Sequence, residues 1–317
     1  MNNTNQDRRT LLESVAEKYY IKGMSQEEIA QEVSMSRSNI SKLLKTCVSE
    51  HIVEFKINYA KSQRASLESA LQQKFNLKKA IVVPSDSHEE ICKISIGQYA
   101  AEYLESIITS GMLIGISWGT TLFYVVKNFR PKDSIHADVI QMVGGNSSKS
   151  IDTDGQELAR KMAQALNGKA NILQVPMLVQ SRVLKNLLLD EPNVVEHFKM
   201  FGDIDIAVIG IGSSKPEISA VYRSGNISKE DAENFVKLGV VGDLCGRQID
   251  CNGNPCQTNI SERIIGIELE QLKKIKTVIG VVSGIEKAEV TLGCLRGSYI
   301  NALVVDENLA NYVLHAD

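Results

Sequence analysis

The sequence has no run of about eighteen consecutive apolar residues, the length that a helix needs to cross a membrane. Its first residues, MNNTNQDRRTLLE, are polar and lack the apolar segment of a secretory signal peptide. Neither a membrane span nor export is therefore predicted, and we expect a cytoplasmic protein. With 317 residues, of which 43% are hydrophobic and 23% charged, the chain has the composition of a folded protein of two domains.

Cysteine is also scarce, because the chain has only six cysteines at irregular spacing. This usage is typical of reduced thiols in a cytosolic protein, so no disulfide framework is predicted. Three of the six fall in CGRQIDCNGNPC, where Cys251 and Cys256 could begin a zinc site. The segment has no matching second pair and no neighbouring histidine, so a plain turn is the favoured interpretation and no metal or cofactor is expected.

Neither sign of charge is in excess, since 35 Lys and Arg against 38 Asp and Glu give a formal net charge of −3. The net charge therefore neither indicates nor excludes a nucleic-acid partner. The distribution of charge is more informative. Residues 34–49 contain Arg37, Lys42 and Lys45 and no acid.

The first sixty residues contain three blocks of apolar residues at helical spacing. This spacing predicts helices over residues 11–20, 25–33 and 36–50. Ser25 and Glu28 have the spacing of a capping box at the start of the second helix. Two short helices joined by a tight turn, the second of which carries the basic residues, predict a helix-turn-helix.

The same spacing divides these helices into an inward and an outward side. The predicted inward residues are Ile29, Ala30, Val33, Ile40, Leu43 and Leu44. On the outward side, Arg37 can read guanine and Asn39 can read adenine, while Ser and Lys can hold phosphates or bases. The candidate DNA-binding residues are Ser25, Gln26, Ser36, Arg37, Ser38, Asn39, Ser41, Lys42 and Lys45. A small helical cap with solvated charges is the alternative interpretation, and Ser34 stands where such turns commonly have glycine.

The pattern also predicts where the domains meet. HIVEFKINYA, residues 51–60, alternates and predicts a short strand or wing, and a polar helical stretch follows it. We therefore predict a helix-turn-helix domain over residues 1–58, a helical connector over 59–79 and a larger domain over 80–317.

From residue 80 onward, short β-branched runs alternate with helical stretches. The predicted strands are AIVV, LIGIS, DVIQMV, NILQV, DIAVIGI, TVIGVVSG and ALVVDE, and helices are predicted over residues 89–108, 154–166 and 308–314. This alternation predicts an α/β domain with a mostly parallel, Rossmann-like sheet that is covered on both faces. Such sheets bind ligands beyond the carboxyl ends of their strands.

Glycine-bearing turns follow several of these strands, in SWGTT, VGGNSS, GIGSS and VSGIEK. Glycine lets backbone amides approach an anion, and the start of the next helix adds a partial positive charge. In the first turn the hydroxyls of Ser117, Thr120 and Thr121 can add donors, and Lys287 offers a cation. A phosphate clamp is therefore predicted, although such turns can also serve geometry alone.

Other residues narrow the chemistry less. Asp243 could accept hydrogen bonds from sugar hydroxyls, or could be a helix cap or a surface acid. Neither GxxxxGK[ST] nor GxGxxG occurs, which disfavours nucleotide hydrolysis and dinucleotide binding. The five histidines share no motif, so no catalytic set is proposed and an enzyme is not expected.

Over nearly its whole length the chain resembles the SorC family of bacterial sugar-responsive transcription regulators. The resemblance is carried by YYIKGMSQEEIAQEVSMSRSNISKLLK, GISWGTTL, QMVGG, VVGDLCGRQID, VIGVVSGIEKAEV and LRGSYINALVVDE, in that order. It implies a C-terminal domain similar to ribose-phosphate isomerase and glucosamine-phosphate deaminase that acts as an effector receptor. It also implies homo-oligomers, commonly tetramers, that bind operator DNA and a phosphorylated sugar. An active isomerase or deaminase is the alternative.

The resemblance also implies roles for individual residues. Gly119, Thr120 and Thr121 would cradle the phosphate, Lys287 would neutralise it and Asp243 would hold sugar hydroxyls. Gly144 and Gly145 would border the pocket. Two positions depart from the family pattern: Val143 replaces a Lys or Arg of some relatives, so no Schiff base is expected there, and VSG replaces the more usual glycine pair before Lys287.

Overall fold

The computed structural model describes residues 2–50, 52–53, 61–145, 151–223 and 225–316. The chain divides into two compact units, Met1–Lys61 and Ser62–Asp317. No helix among the described residues is both long and apolar enough to cross a membrane.

The described residues of the N-terminal unit form three helices. They are α1 (Asn2–Ala16), which continues as a π-helical turn (Glu17–Ile21), α2 (Gln26–Glu32) and α3 (Arg37–Ser49). The first helix thus begins earlier than its apolar spacing predicts, because the polar residues before Leu11 extend it. The bounds predicted for the second and third helices are confirmed, with Ser25 and Ser36 as their N-caps.

Side-chain burial in this unit follows the predicted division of sides. Ile29 and Ile40 are fully buried, and Ala30 and Leu44 lie beside them in one apolar cluster. The turn between α2 and α3 contains Ser34 with φ +54°, the left-handed conformation that explains why glycine is common there. Of the predicted wing only Ile52 and Val53 are described, and both pack against the first and third helices; the rest of residues 51–60 lies outside the described residues.

The C-terminal unit is a nine-stranded sheet with helices on both faces. Its strands are β1 (Lys79–Val83), β2 (Leu113–Ile116), β3 (Asp138–Gln141), β4 (Ala170–Asn171), β5 (Ile206–Ser213), β6 (Gly242–Leu244), β7 (Arg247–Ile249), β8 (Thr277–Val282) and β9 (Ala302–Asp306). The order along the sheet is β1-β9-β8-β5-β2-β3-β4, and every pair on this path is parallel. Only β6 and β7 are antiparallel, as a hairpin that extends from β5. The predicted α/β class with a mostly parallel sheet is confirmed.

Eleven helices of this unit fall among the described residues. They are α4 (Lys61–Phe75), α5 (Glu89–Ile107), α6 (Thr120–Asn128), α7 (Gly155–Ala165), α8 (Arg182–Leu189), α9 (Pro192–Lys199), α10 (Ala220–Arg223), α11 (Lys229–Lys237), α12 (Leu269–Leu272), α13 (Ala288–Arg296) and α14 (Glu307–His315). The bounds predicted for α5, α7 and α14 are confirmed to within a residue.

Alternating side chains of the central strands supply the two cores. In β9, Ala302 and Val304 join the cluster under α5, α6 and α7, whereas Leu303 and Val305 join the cluster with α4, α13 and α14. All four are at most 1% exposed. The continuous apolar character of the strands follows from this two-sided burial.

One strand prediction for this unit was wrong, and one hairpin has no counterpart among the predicted elements. NILQV is not a strand throughout, because β4 ends at Asn171 and residues 172–179 are irregular, with isolated bridges at Pro176 and Leu178. The β6-β7 hairpin was not predicted. The possible zinc site in the cysteine-rich segment is not formed: among the described residues no group of three or more His, Cys, Asp and Glu could hold a metal ion.

Candidate functional site

Most of the predicted effector residues line one cavity of about 360 Å³, which we call the central cavity. It lies at the carboxyl ends of β2 and β5, where the strand order reverses: β3 and β4 follow on one side, β8 and β9 on the other. Open α/β sheets bind ligands at such a switch point. Its volume is within the usual range for small-molecule sites.

One wall of the central cavity is the start of α6. Gly119 is the N-cap residue, with φ +129°, a conformation that residues with a side chain rarely adopt, and no side chain caps the helix. The amide groups of Thr120, Thr121 and Leu122 therefore begin the helix without an intrahelical acceptor. Ser117 and Trp118 complete this wall, and the whole forms a ready anion site.

The opposite wall contains Lys287, which precedes α13. Its Nζ forms no hydrogen bond or ion pair with the residues that the structure describes. Part of the side chain is exposed to the cavity, but protein atoms surround it. Burial, reinforced by the charge of Lys93, lowers the pKa of Lys287 to about 8.

Asp243 enters the cavity from the β6-β7 hairpin. Cys245 and Gly246 form its two-residue turn with φ +53° and +79°, the signature of a type I′ turn, and the Gly246 amide donates to Asp243 Oδ2 at 3.0 Å. Burial raises the pKa of Asp243 to about 6, although the Gly246 amide and the charge of Lys287 oppose the shift. The carboxylate can thus accept hydrogen bonds at neutral pH.

The hairpin is held in place by a buried arginine. Arg247 is 6% exposed, and its guanidinium donates to the carbonyl oxygens of Ser261, Gly266 and Ile267 at 3.1, 3.0 and 3.3 Å. It also contacts Glu268 Oε1 at 2.7 Å. These bonds tie the strand after Asp243 to residues 261–268.

Six of the nine predicted effector residues come together in the central cavity or its wall: Ser117, Gly119, Thr120, Thr121, Asp243 and Lys287. Val143, Gly144 and Gly145 do not line it. Val143 is 1% exposed and lies in the apolar core. The amides of the two glycines donate to Ile265 and Val175, so backbone pairing holds this segment away from the cavity.

Sequence reasoning missed several residues that line the cavity, among them Glu89, Lys93, Trp118, Arg223 and Cys245. Glu89 and Lys93 form an ion pair on the first turns of α5. Their position after a predicted strand was the available signal. Trp118 is the only tryptophan of the chain, so its fluorescence reports on this site.

Comparison with known proteins identifies the family of the chain. Residues 60–315 match the family model described as "Putative sugar-binding domain". Over 322 aligned residues the chain is 32% identical to the sorbitol operon regulator of Klebsiella pneumoniae, covering 98% of this chain and 99% of that protein. The chain belongs to the SorC family of transcription regulators.

Other SorC-family comparisons extend over both units. The crystal structure of the full-length regulator SorC from Klebsiella pneumoniae superposes with a TM-score of 0.79 at 31% identity, covering 96% of this chain and 98% of that one. The deoxyribonucleoside regulator of Bacillus subtilis is 28% identical over 98% of each chain. The SorC-family fold therefore includes the three N-terminal helices as well as the sheet.

The candidate DNA surface of this SorC-family chain is on α3. Arg37, Ser38, Asn39, Lys42 and Lys45 are exposed. The hydroxyls of Ser25 and Ser36 serve as N-caps, accepting from the amides of Glu28 and Asn39, while Gln26 and Ser41 are half-buried.

Arg37 has a partner on the neighbouring helix. Its Nε lies 3.0 Å from Glu27 Oε1, with the two side chains 68% and 57% exposed. An ion pair so exposed is weak, so a phosphate or a base can displace the carboxylate.

Proposed function

We propose that the protein is a repressor of a carbohydrate-utilisation operon and that a phosphorylated sugar modulates its affinity for operator DNA. The observation that carries the proposal is the pairing of the uncapped start of α6 with the unpartnered cation of Lys287 in one cavity. A phosphate would accept from the amides of Thr120 and Thr121 and from the Lys287 ammonium. Asp243 would accept from the sugar hydroxyls.

The N-terminal helices would supply the DNA contact. The outward side of α3 carries cations and amides, without a single acid between residues 34 and 49. Inserted in a major groove, Arg37 and Asn39 would meet base edges and the lysines would meet phosphates. We further propose a cytoplasmic homo-oligomer, as a tetramer or a dimer of dimers, because a two-fold axis would match a palindromic operator.

Effector and operator would be coupled thermodynamically. A sugar phosphate changes operator affinity only if it binds the DNA-competent and DNA-incompetent states with different affinities. Relief of repression requires tighter binding to the incompetent state. The names of two relatives, the sorbitol operon regulator and the deoxyribonucleoside regulator, support a carbohydrate as the effector.

The proposal is tested with the full-length chain. Sugar phosphates are titrated while Trp118 emission and thermal unfolding are followed, because a ligand of the native state raises the unfolding temperature. Hits are then added to the complex with an operator that the protein has selected from random DNA. Release of the DNA supports the proposal, whereas a panel without any ligand contradicts the phosphate clamp.

An active isomerase or deaminase is the rival that the cavity itself raises. Asp243 and Lys287 have pKa values of about 6 and about 8, and groups that titrate near neutral pH can act as acid and base. Each sugar phosphate of the panel is incubated with the protein and followed by NMR. Turnover at enzymatic rates would show that the protein is an enzyme and would contradict the receptor proposal. Unchanged sugar phosphate after long incubation agrees with the receptor.

Replacing Arg37 with alanine is expected to weaken binding to the selected operator by about 1–3 kcal/mol, the value of a good base contact. Glu27→Gln should have the opposite effect on operator affinity and tighten binding by about 0.5 kcal/mol, because it removes the exposed ion pair that competes for Arg37. Fluorescence anisotropy of labelled operator measures both. Arg9→Ala is the matched control, since Arg9 forms an equally short exposed pair with Glu13 on α1. Equal affinities of R37A and R9A would refute α3 as the recognition helix.

A further inference from the structure

A second cavity of about 230 Å³ adjoins the central cavity, and we call it the side cavity. Glu89, Ile218 and Lys287 line both cavities. If Lys287 holds the phosphate of a ligand, the remainder of that ligand can therefore extend into either the central cavity or the side cavity.

The side cavity lies at the carboxyl ends of β1, β8 and β9. Most of its polar groups already have partners. Asp306 Oδ1 accepts from Ser85 Oγ at 2.9 Å and from the Leu309 amide at 3.1 Å, and Asp306 Oδ2 accepts from the Gly284 amide at 2.8 Å. The Ser85 hydroxyl in turn accepts from the Asn308 amide at 2.8 Å.

Ser283 is the exception. It lines the side cavity and is only 3% exposed, yet its Oγ has no hydrogen-bond partner among the residues that the structure describes. An unpaired buried hydroxyl is costly, so its presence requires an explanation.

The charge of the side cavity restricts what could meet that hydroxyl. Its acidic lining residues are Asp86, Glu89, Glu286 and Asp306, and its only lining lysine or arginine among the described residues is Lys287. Lys287 is already assigned to the first phosphate, so a second phosphate would find no further lysine or arginine among the described lining residues. It would lie close to several carboxylates, of which only Glu89 is paired with a lysine, and would be repelled. A neutral hydroxyl can both donate to and accept from a serine.

We propose that the end of the effector remote from its phosphate enters the side cavity, where one of its hydroxyl groups hydrogen-bonds to Ser283. The protein then selects a sugar monophosphate and rejects the matching bisphosphate. This inference rests on the proposed function, that of a receptor for a phosphorylated sugar.

The probes that test it are ribose 5-phosphate, glucose 6-phosphate and fructose 6-phosphate, each with its own bisphosphate, titrated calorimetrically into the full-length protein. The monophosphate that binds most tightly should exceed its bisphosphate by about tenfold or more, because like charges brought together are costly. Ser283→Ala should weaken that monophosphate by about 3- to 10-fold, the value of one hydrogen bond. Ser106→Ala, on the exposed side of α5, should leave it unchanged.

The outcomes separate the two proposals. If no probe binds the wild-type protein, the sugar-phosphate receptor itself fails. If a monophosphate binds equally well to wild type and S283A, a water molecule is the partner of Ser283, and only the role of the side cavity is overturned. A bisphosphate that binds wild type as tightly as its monophosphate also overturns the role of the side cavity. Ser283→Gly, which also removes the hydroxyl, must reproduce the loss. Ligand-free S283A should unfold at the wild-type temperature or slightly above it, because the substitution removes a buried hydroxyl that has no hydrogen-bond partner among the described residues.

Discussion

Replacing Lys287 with methionine is expected to weaken sugar-phosphate binding by about 2–5 kcal/mol, the usual cost of truncating one partner of an enclosed charge pair. Methionine keeps most of the apolar stem, so the packing of α13 is preserved while the cation is lost. The dianionic phosphate would then be held only by the start of α6. Calorimetric titration of the hit from the sugar-phosphate panel measures the loss.

The operator provides the control for this variant. Without effector, K287M should bind the selected operator as tightly as wild type, but the effector should no longer release it. Lys237→Met, an exposed lysine of α11, should behave as wild type in both assays. Retention of effector affinity within about threefold in K287M would remove Lys287 from the phosphate site, since a charged hydrogen bond contributes more than that.

The affinity for effector should also fall as the pH rises through about 8, because free Lys287 loses its proton there. The bound dianion favours the protonated amine, so each pH unit above the pKa costs up to about tenfold in affinity. Lys287→Arg should abolish this loss of affinity between pH 7 and 9, since the guanidinium stays charged far above that range. Titrations followed by Trp118 emission between pH 7 and 9 measure it. A flat wild-type profile would contradict a protonated Lys287 in the complex.

The second large effect concerns stability. Replacing Arg247 with methionine is expected to lower the free energy of unfolding by about 3–5 kcal/mol, because several buried carbonyl oxygens and Glu268 lose their partner together. Urea unfolding followed by Trp118 emission is the measurement, and it reports on the C-terminal unit because the chain has one tryptophan.

Two further variants bracket the Arg247 result. Glu268→Gln should cost much less, because Glu268 is 53% exposed and the four carbonyl contacts of Arg247 remain. Arg160→Ala removes an exposed arginine of α7 and should change the free energy by less than about 0.5 kcal/mol. A loss in R247M no greater than in R160A would show that the hairpin does not depend on Arg247.

Local patterns were sufficient for much of the fold. β-branched runs identified six strands because a doubly covered sheet buries both sides of each strand, and serine caps located the starts of α2 and α3. The β6-β7 hairpin was missed because each strand is three residues long and its turn, Cys245-Gly246, falls in a segment that was considered for zinc. The flanking strands, GDL and RQI, contain Asp, Arg and Gln, so no apolar run marked them, and Gly246 was the turn signal in the sequence.

The candidate site shows where local patterns stop. The residues that follow β2 could be predicted, since a helix that begins after glycine is a local feature. Glu89 and Arg223 join the cavity from α5 and α10, far from β2 in sequence, and their approach depends on the strand order. The segment around Val143 shows the opposite case, a local pattern that predicted a contact with the pocket that the structure lacks. This segment follows β3, but its bridges to Pro176 and Gly266 direct it toward the apolar core.

The start of α6 has a consequence for how effector specificity changes in evolution. Three of the donors available to a phosphate there are main-chain amides, which no substitution of a side chain removes except by proline. The proposed anion recognition would therefore be insensitive to most point mutations, whereas Asp243 and Ser283 can each be exchanged by a single codon change. If these amides form the proposed phosphate site, duplicated copies of such a gene could diverge toward new sugars without losing it.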